Sequence, residues 1–560
     1  MSFINRLNKP LLLVFFTLFV CSCGGGSATP VKVPEPEPAP PVADISSHFV
    51  DATEESGLKR VYGYKNIEFT RTNKMLQLFS GGAAVGDYDN DGDIDLFFSQ
   101  TDLGPNLLYQ NNGKGVFVDV AASAGVAFTK STTENYRHSG PIWADMNGNG
   151  HLDLFIGGVL GDPSFIFKNN GDGTFTDVTA EAGVSQLNGI QNISAGFGDY
   201  DLDGDLDMYV THWGTERVIS APGDTGSLWR NDSENKTGLI KFTSVSIEAG
   251  ISPSLISTTN QPDSDADREF TFTPTFAKIN DDKYPDLLVF SDFSNTQQFM
   301  NTGNKTFINE TDPNINTDHN GMGSALADFD NDGDLDWFIT AIYSPTLNEN
   351  WDGNRLFRNN NGVFEDITES ANVRDGGWGW GACFIDFEND GDLDLYHTNG
   401  WDYLNFKFDK SKAFSFDKGV FNDKAKELGL DDSKNARGVV CADFDGDTDI
   451  VQTTLDDNNA VSYYKNESKG HHYLAVKLKG LAPNTEAIGA RVFASVGDVT
   501  QMREVILGGN FTSQNTTIQS FGLGNAEEID TLRIEWPDGR ESVMTAIQVD
   551  QKLIVSHPDL

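Results

Sequence analysis

The chain has 560 residues, too many for one small core, and carries 83 acidic against 40 basic side chains, a formal net charge of −43. Such a field repels nucleic acid and anionic lipid head groups, which excludes DNA and RNA as partners, and it attracts cations. With 38% hydrophobic residues, 56 glycines and 39 phenylalanines, the composition is that of a turn-rich all-β protein, neither helical nor disordered.

The first segment reads as an address. Arg6 and Lys9 precede the apolar run LLLVFFTLFV (Leu11–Val20), too short to span a bilayer but right for a secretory signal. Its ending, VCSC (Val20–Cys23), resembles a bacterial lipobox. That resemblance implies a signal peptide over 1–22, lipidation of Cys23 and, because Gly24 follows, sorting to the outer membrane. Residues 23–47 are rich in Gly and Pro and read as an extended tether. The expected localisation is a lipid-anchored protein at the bacterial outer membrane or cell surface.

From 48 to 467 one pattern recurs. Acidic nine-residue strings begin at Asp87 (DYDNDGDID), Asp145 (DMNGNGHLD), Asp199 (DYDLDGDLD), Lys278 (KINDDKYPD), Asp328 (DFDNDGDLD) and Asp386 (DFENDGDLD), with a shortened DFDGDTD at Asp443. Their spacing leaves room for one four-stranded sheet per repeat, the size of a propeller blade. A short apolar strand precedes each loop, such as GGAAVG or SGPIWA, with small and bulky residues alternating at period two. Segments resembling LFFSQ, NLLYQNNG and VFVDVAASAGV follow, so a blade reads strand A, acidic loop, strand B, strand C, turn, strand D. Seven such units predict a seven-bladed propeller. A strand D copy, HFVDATEESGL (His48–Leu58), precedes the first loop, while the last repeat runs from AVSYYKNES into the next domain with no strand D of its own. The N-terminal copy is therefore expected to pair beside Tyr463–Lys465 and close the ring.

The loop pattern suits a hard cation. Oxygens at the first, third, fifth and ninth places with a carbonyl at the seventh match the six to eight oxygen ligands of Ca²⁺, and glycine at the sixth permits the bend. The complete loops offer Asp87, Asp89, Asp91 and Asp95 with the Asp93 carbonyl; Asp199, Asp201, Asp203 and Asp207 with Asp205; Asp328, Asp330, Asp332 and Asp336 with Asp334; and Asp386, Glu388, Asp390 and Asp394 with Asp392. The second loop offers Asp145, Asn147, Asn149 and Asp153 and, having less charge, should bind more weakly. In the fourth, Lys278 holds the first place, and its ammonium is expected to replace the ion by pairing with Asp282 and Asp286. The seventh, with Asp443, Asp445, Asp447 and Asp449, is two residues short. About four to six Ca²⁺ ions are expected. EF-hands are excluded, because the twelfth place is Phe98 or Val210 rather than glutamate.

Beyond His471 the repeat stops. HHYLAVKLKG, ARVFASVG, MREVILGG, TTIQSFGLG and TLRIEWPDG alternate like strands of a small antiparallel domain over 470–560. The acidic loops in phase resemble the FG-GAP/VCBS repeats of integrin-α-like β-propellers. AIGARV (Ala487–Val492), GGNFTSQ (Gly508–Gln514), FGLG (Phe521–Gly524) and WPDG (Trp536–Gly539) resemble the ASPIC/UnbV domain. Together they resemble the cartilage acidic protein family, including its bacterial members, which implies extracellular binding or adhesion without naming a ligand.

Cys383 and Cys441 read as small buried hydrophobes, and no disulfide between them can be argued from the sequence. No zincin motif, nucleophile elbow, phosphate loop or dinucleotide fingerprint is present. The functional expectation is binding of an extracellular glycan or protein. The alternative is a calcium-dependent propeller enzyme, lyase-like, acting on extracellular polysaccharide, for which His138, His212, His319 and His397 would have to converge with Arg137 and Tyr136. The long insertions at 212–227, 251–271, 341–353 and 397–418 fall on the face opposite the acidic loops. That face is where a ligand is expected, with Trp213, Trp351, Trp401, Tyr403, His212 and His397 as candidate contacts.

Overall fold

Small-then-bulky alternation ahead of each acidic loop makes a strand that can lie close to an axis on one side and fill a core on the other. The computed structural model describes residues 48–64, 75–78, 80–187, 190–216, 227–233, 238–251, 268–293, 296–313, 319–455 and 459–560. The leader at 1–22, Cys23, the tether at 23–47 and much of the insertions at 212–227 and 251–271 lie outside them. Seven innermost strands are present among the described residues: Gly82–Gly86, His138–Ala144, Asn192–Gly198, Arg268–Ala277, Ser324–Ala327, Gly379–Ile385 and Ala436–Asp443. Each turns through its acidic loop into strand B, and the first lies against the last, which closes the ring.

The closure uses the N-terminus. Phe49–Asp51 pairs antiparallel with Val461–Asn466, Phe49 opposite Asn466 and Asp51 opposite Tyr464, as the fourth strand of the seventh blade. After strand D the chain enters one helical turn, at Thr53–Ser56, Ala121–Ala124, Thr179–Ala182, Thr368–Ala371 and Ala425–Leu428. The aspartate of each F-x-D-like segment caps that turn; Asp51, Asp119, Asp177, Asp366 and Asp423 each accept a backbone N–H two residues on. Blades three and four are not separate sheets. Strand B of blade three runs on to Asp207–Glu216 and pairs with Arg268–Ala277, Trp213 opposite Phe270, so the first part of the 212–227 insertion is ladder rather than loop.

Cys383 and Cys441 form a disulfide between the innermost strands of blades six and seven, which the sequence left open. Among the described residues no helix is long and apolar enough to cross a membrane.

The C-terminal domain has two small sheets. Val499–Glu504, Arg491–Val496, Glu528–Glu535 and Glu541–Gln548 are antiparallel. Gln519–Gly524, His472–Lys479 and Gln551–Ser556 form the second, where the last strand returns parallel to His472–Lys479. Its core is continuous with that of blades two and three: Leu474, Val492 and Leu532 share one cluster with Ile142, Phe155 and Met208.

From this domain the GGNFTSQ hairpin enters the central channel. The innermost strands present unpaired N–H and C=O groups to the axis, and the hairpin satisfies them. Gln514 pairs parallel with Ala84 and accepts the Trp143 N–H at 2.7 Å. The Asn510 side chain accepts from Ala382 N at 3.1 Å and donates to Val439 O at 2.7 Å. Thr512 N donates to Ser194 Oγ, and Phe197 N to Leu507 O. Gly82, at φ +149°, lets the hairpin this close, since a Cβ there would run into the Thr512 carbonyl. At the tip, Phe511 is fully buried against Phe272 and Trp380.

Asn510→Ala and Gln514→Ala each strand buried backbone groups of the propeller wall and should lower stability by about 1–3 kcal/mol apiece. Urea titration of the two single variants checks this, and unchanged midpoints would mean that water replaces the hairpin's contacts.

Candidate metal centres

The acidic loops share one geometry. The sixth-place glycines Gly92, Gly204, Gly333 and Gly391 all lie near φ +100°, and the fourth place is left-handed too, at Asn90, Leu202, Asn331 and Asn389. This double bend turns the first, third and later side chains toward one point. Carboxylate oxygens lie within 4.8 Å of one another in Asp87, Asp89 and Asp95; in Asp199, Asp201 and Asp203; in Asp328, Asp330 and Asp332; and in Asp386, Glu388 and Asp394. These are the four loops that the sequence reads as complete.

The donor set is all hard oxygen, and part of it is unspent. Asp87 Oδ1, Asp95 Oδ2, Asp201 Oδ1 and Asp205 Oδ1 are buried without a hydrogen-bond partner. Burial, reinforced by neighbouring carboxylates, pushes Asp95 and Asp386 up to about 8 and Asp199 to about 7. Burial and the neighbouring acids likewise hold Asp336 at about 9 and Asp328 at about 7, although Arg503 opposes the latter shift. Such a cluster carries its charges only when a cation or protons sit among them, so the residues present fit a divalent ion.

The other loops spend more of their side chains on hydrogen bonds and ion pairs, although Asn147 Oδ1 and Asp286 Oδ2 stay buried without a partner. In the second, Asn149 N and Gly150 N donate to Asp145, Asn147 Nδ2 donates to Asp153, and the Thr485 hydroxyl donates to Asp145 at 2.6 Å. In the seventh, Asp443 accepts from Asp445 N and Gly446 N, while the Lys465 ammonium pairs with Asp445 and takes the place of an ion. In the fourth, the expected pairing of Lys278 with Asp282 and Asp286 is not what forms. Lys278 is largely buried beneath the C-terminal domain, where Glu504 is its main opposing charge and also accepts the Lys278 N–H. Asp282 is spent on its own turn, accepting from Tyr284 N.

The ninth aspartate has a second task that the sequence reading missed. Asp95, Asp153, Asp207, Asp286, Asp336 and Asp449 each accept the backbone N–H of the asparagine ending strand C: Asn111, Asn169, Asn231, Asn301, Asn359 and Asn466. Each asparagine then donates its Nδ2 to the second-place carbonyl of the preceding blade's loop, at Phe444, Tyr88, Met146, Tyr200, Ile279 and Phe387 respectively. Blade six has Phe416 at this place, and its N–H still bonds Asp394. The recurring asparagine in YQNNG, FKNNG, WRND and FMNTG was the available signal.

The acidic face is covered. Lys477 Nζ is 2.7 Å from Asp87, Lys552 Nζ donates to Gly92 O, Gly524 N donates to Asn389 O, and His471 lies 3.0 Å from Glu388 O. The C-terminal domain therefore sits on the ring of acidic loops.

On that opposite face most of the candidate contacts prove to be supports. Trp213 and Trp401 are buried, and His212 and His397 wholly so. Trp213 packs on Phe270 and Phe272. Trp401 stacks on Trp378, and the Arg437 guanidinium lies over both Trp380 and Trp401. These rings pin long connections onto the propeller, which is why apolar residues occur there. Trp351 is half-buried, and Tyr403 is exposed. The histidines do not converge. His138 bonds Asn106, His319 lies 3.5 Å from Asp352, and His397 packs between Phe338 and Phe414. Burial lowers His138 and His397 to about 3, so both imidazoles are neutral. Arg137 is engaged by Asp162.

This geometry belongs to an acidic-loop propeller with a docked β domain, and comparison with known proteins defines the class. Residues 87–156, 278–339 and 342–397 match the FG-GAP-like repeat, and 480–560 match the ASPIC and UnbV domain. The chain is an FG-GAP-repeat β-propeller with a C-terminal ASPIC/UnbV domain, the combination its motifs implied. It is similar to cartilage acidic protein 1 of Mus musculus, 24% identical over 504 residues that cover 82% of this chain and 70% of that protein. The Homo sapiens protein is 23% identical over 506 residues, covering 82% and 69%. Among solved structures, an Agrocybe aegerita lectin recognising non-reducing terminal N-acetylglucosamine aligns with TM-score 0.39 and 15% identity, over 64% of this chain and 82% of that one.

The raised carboxylates give the metal-free protein a definite pH dependence. Their folded pKa values lie above the ordinary value near 3.8, so the folded state holds protons more tightly than the unfolded chain. In chelator, the contribution of these groups is greatest below pH 4 and is lost as pH rises through about 7 to 8. Melting temperature should therefore fall from pH 5 to 8.5. A chelated protein that grows more stable over that range would refute the electrostatic account.

Proposed function

We propose that this protein is a calcium-stabilised recognition module, held at the bacterial outer membrane by lipid on Cys23, that binds an extracellular glycan or protein. One observation carries the choice of face. The C-terminal domain occupies the acidic loops and its hairpin enters the channel, while the connection at 397–418 presents Tyr403, 52% exposed, and Phe408, 70% exposed. Exposed aromatic side chains on connections braced by buried tryptophans are a rigid, amphipathic contact surface. Calcium is the ion favoured by an all-carboxylate donor set in loops of FG-GAP type.

Calcium at a hundredfold excess over its Kd contributes about 2.7 kcal/mol per site, so exhaustive chelation near neutral pH should lower the melting temperature by many degrees. Asp203→Ala and Asp332→Ala should each remove most of one site's share, and Asp282→Ala little. A melt indifferent to chelation would overturn the calcium reading.

For the ligand face, the double variant Tyr403→Ala, Phe408→Ala should keep the wild-type melting temperature and lose at least tenfold in affinity for whatever a glycan array or pull-down identifies. Retained binding, with loss instead in variants of the exposed C-terminal sheet Glu541–Gln548, would move the site off this face.

A further inference from the structure

One of the four complete loops is folded differently from the other three. In the loops at Asp199, Asp328 and Asp386 the first carboxylate gathers the loop around its centre. Its two oxygens accept the N–H groups of the fifth and sixth places: Asp203 and Gly204, Asp332 and Gly333, Asp390 and Gly391. The last carboxylate accepts the N–H of the second place, from Tyr200, Phe329 and Phe387.

The loop at Asp87 makes none of these bonds. Asp91 N turns instead to Asp89 Oδ1 at 3.3 Å, while Asp87 Oδ1 and Asp95 Oδ2 stay buried without a partner. The cause does not lie in its own nine residues. DYDNDGDID differs from DFDNDGDLD at Asp328 only by Tyr88 for Phe329 and Ile94 for Leu335, neither of which makes or breaks such a bond. What differs is a neighbour from the C-terminal domain: the Lys477 ammonium holds Asp87 Oδ2 at 2.7 Å. Lys305 meets Asp201 in the loop at Asp199, but that ammonium is exposed and its loop keeps all three bonds.

Lys477 has a second acid beside it. It stands on His472–Lys479, whose parallel neighbour Gln551–Ser556 sends Lys552 Nζ to Gly92 O, so this sheet lies over the first loop. A void of about 10 Å³, room for roughly one water molecule, is bordered by Asp87, Lys477, Glu486 and Thr517. Glu486 accepts the Thr517 hydroxyl at 3.0 Å and makes no ion pair among the described residues. Burial pushes its carboxyl up to about 7, and Lys477 is the main charge drawing it back. Closing the first loop as its three counterparts close spends both Asp87 oxygens, one of which Lys477 now holds.

We propose that the first acidic loop is a cation-responsive switch, in which a divalent ion and the Lys477 ammonium compete for Asp87 and the entering ion sends Lys477 to Glu486. This loop is then the weakest of the four complete sites, because its ion must first break a largely buried ion pair. The coupling is mutual: by whatever factor Lys477 weakens the ion, the ion weakens this anchor of the C-terminal domain. The inference rests on the calcium reading of the proposed function and names the residues through which one site answers to the ion.

The test is calorimetric calcium titration of the full chain in detergent, the first-loop step being the one that Asp91→Asn removes. That step should lie at least tenfold weaker than the tight steps. Lys477→Met, which keeps the apolar stem and removes the charge, should tighten it at least tenfold and leave the tight steps unchanged. A crystal structure of the wild-type chain at calcium below that step should show Lys477 on Asp87. Above it, the ion should lie in the first loop and Lys477 on Glu486. A first-loop step as tight as the others, or one that Lys477→Met leaves unchanged or weakens, overturns the proposal. An ion in the first loop with Lys477 still on Asp87 also overturns it, and decides the matter should the Met variant not fold. A titration with no step at all removes the calcium reading and this proposal together, a result distinct from four equal steps.

Discussion

A carboxylate buried at the last place of every acidic loop is the constraint on which the rest of the ring depends. Asp95, Asp153, Asp207, Asp286, Asp336 and Asp449 are all inaccessible to solvent, and Asp394 nearly so. A desolvated carboxylate persists only if its lone pairs are used. Each accepts a strand C backbone N–H of its own blade, which sets the depth at which that strand lies, and in every blade but the sixth the residue so held is an asparagine that reaches the preceding blade. Blade geometry and blade-to-blade spacing thus follow from one hydrogen-bonding requirement repeated around the axis. The remaining carboxylates of the complete loops repel one another across a few ångströms, and a cation converts that repulsion into a pin between strands A and B.

The same charge gives the C-terminal domain its seat. Lys477 reaches Asp87, the Thr485 hydroxyl reaches Asp145, and the buried guanidinium of Arg503 is drawn on by Asp328 and Asp386. Burial lowers Arg503 to about 10, and those two aspartates hold it up. Basic side chains of one domain therefore complete the electrostatics of the other. The GGNFTSQ hairpin does for the backbone what these residues do for the loops, capping innermost strand edges that the radially arranged blades turn toward the axis. The two domains share core and hydrogen bonds, so neither is closed without the other.

This division leaves the two faces with different work. The acidic face carries the carboxylate clusters and the docked C-terminal domain. The opposite face is built from connections too long to be simple turns, stiffened from below by the Trp378, Trp401, Trp380 and Arg437 stack. Rings that look like ligand contacts in the sequence are here the struts that hold exposed neighbours in place. Tyr403 and Phe408 stand out from connections whose other aromatics, Trp401 and Phe406, are buried.

The sequence by itself determined what depends on neighbours a few residues away. Period-two alternation placed strand A of every blade, the DxDxDG strings placed the loops, and the displaced HFVD copy required an N-terminal strand beside Tyr463–Lys465, which the Phe49–Asp51 pairing with Val461–Asn466 supplies. Local spacing also separated the four complete loops from the three degenerate ones, because ligand geometry within nine residues is a local property. Only the tertiary structure decided what residues hundreds of positions apart do to each other. Lys278 turned to Glu504 instead of its own loop, Cys383 met Cys441 across two blades, and Gln514 met Trp143 inside the channel. Burial decided the rest. Whether Trp401 faces solvent or core depends on how the connections fold back over the ring, and no periodicity in a connection records that.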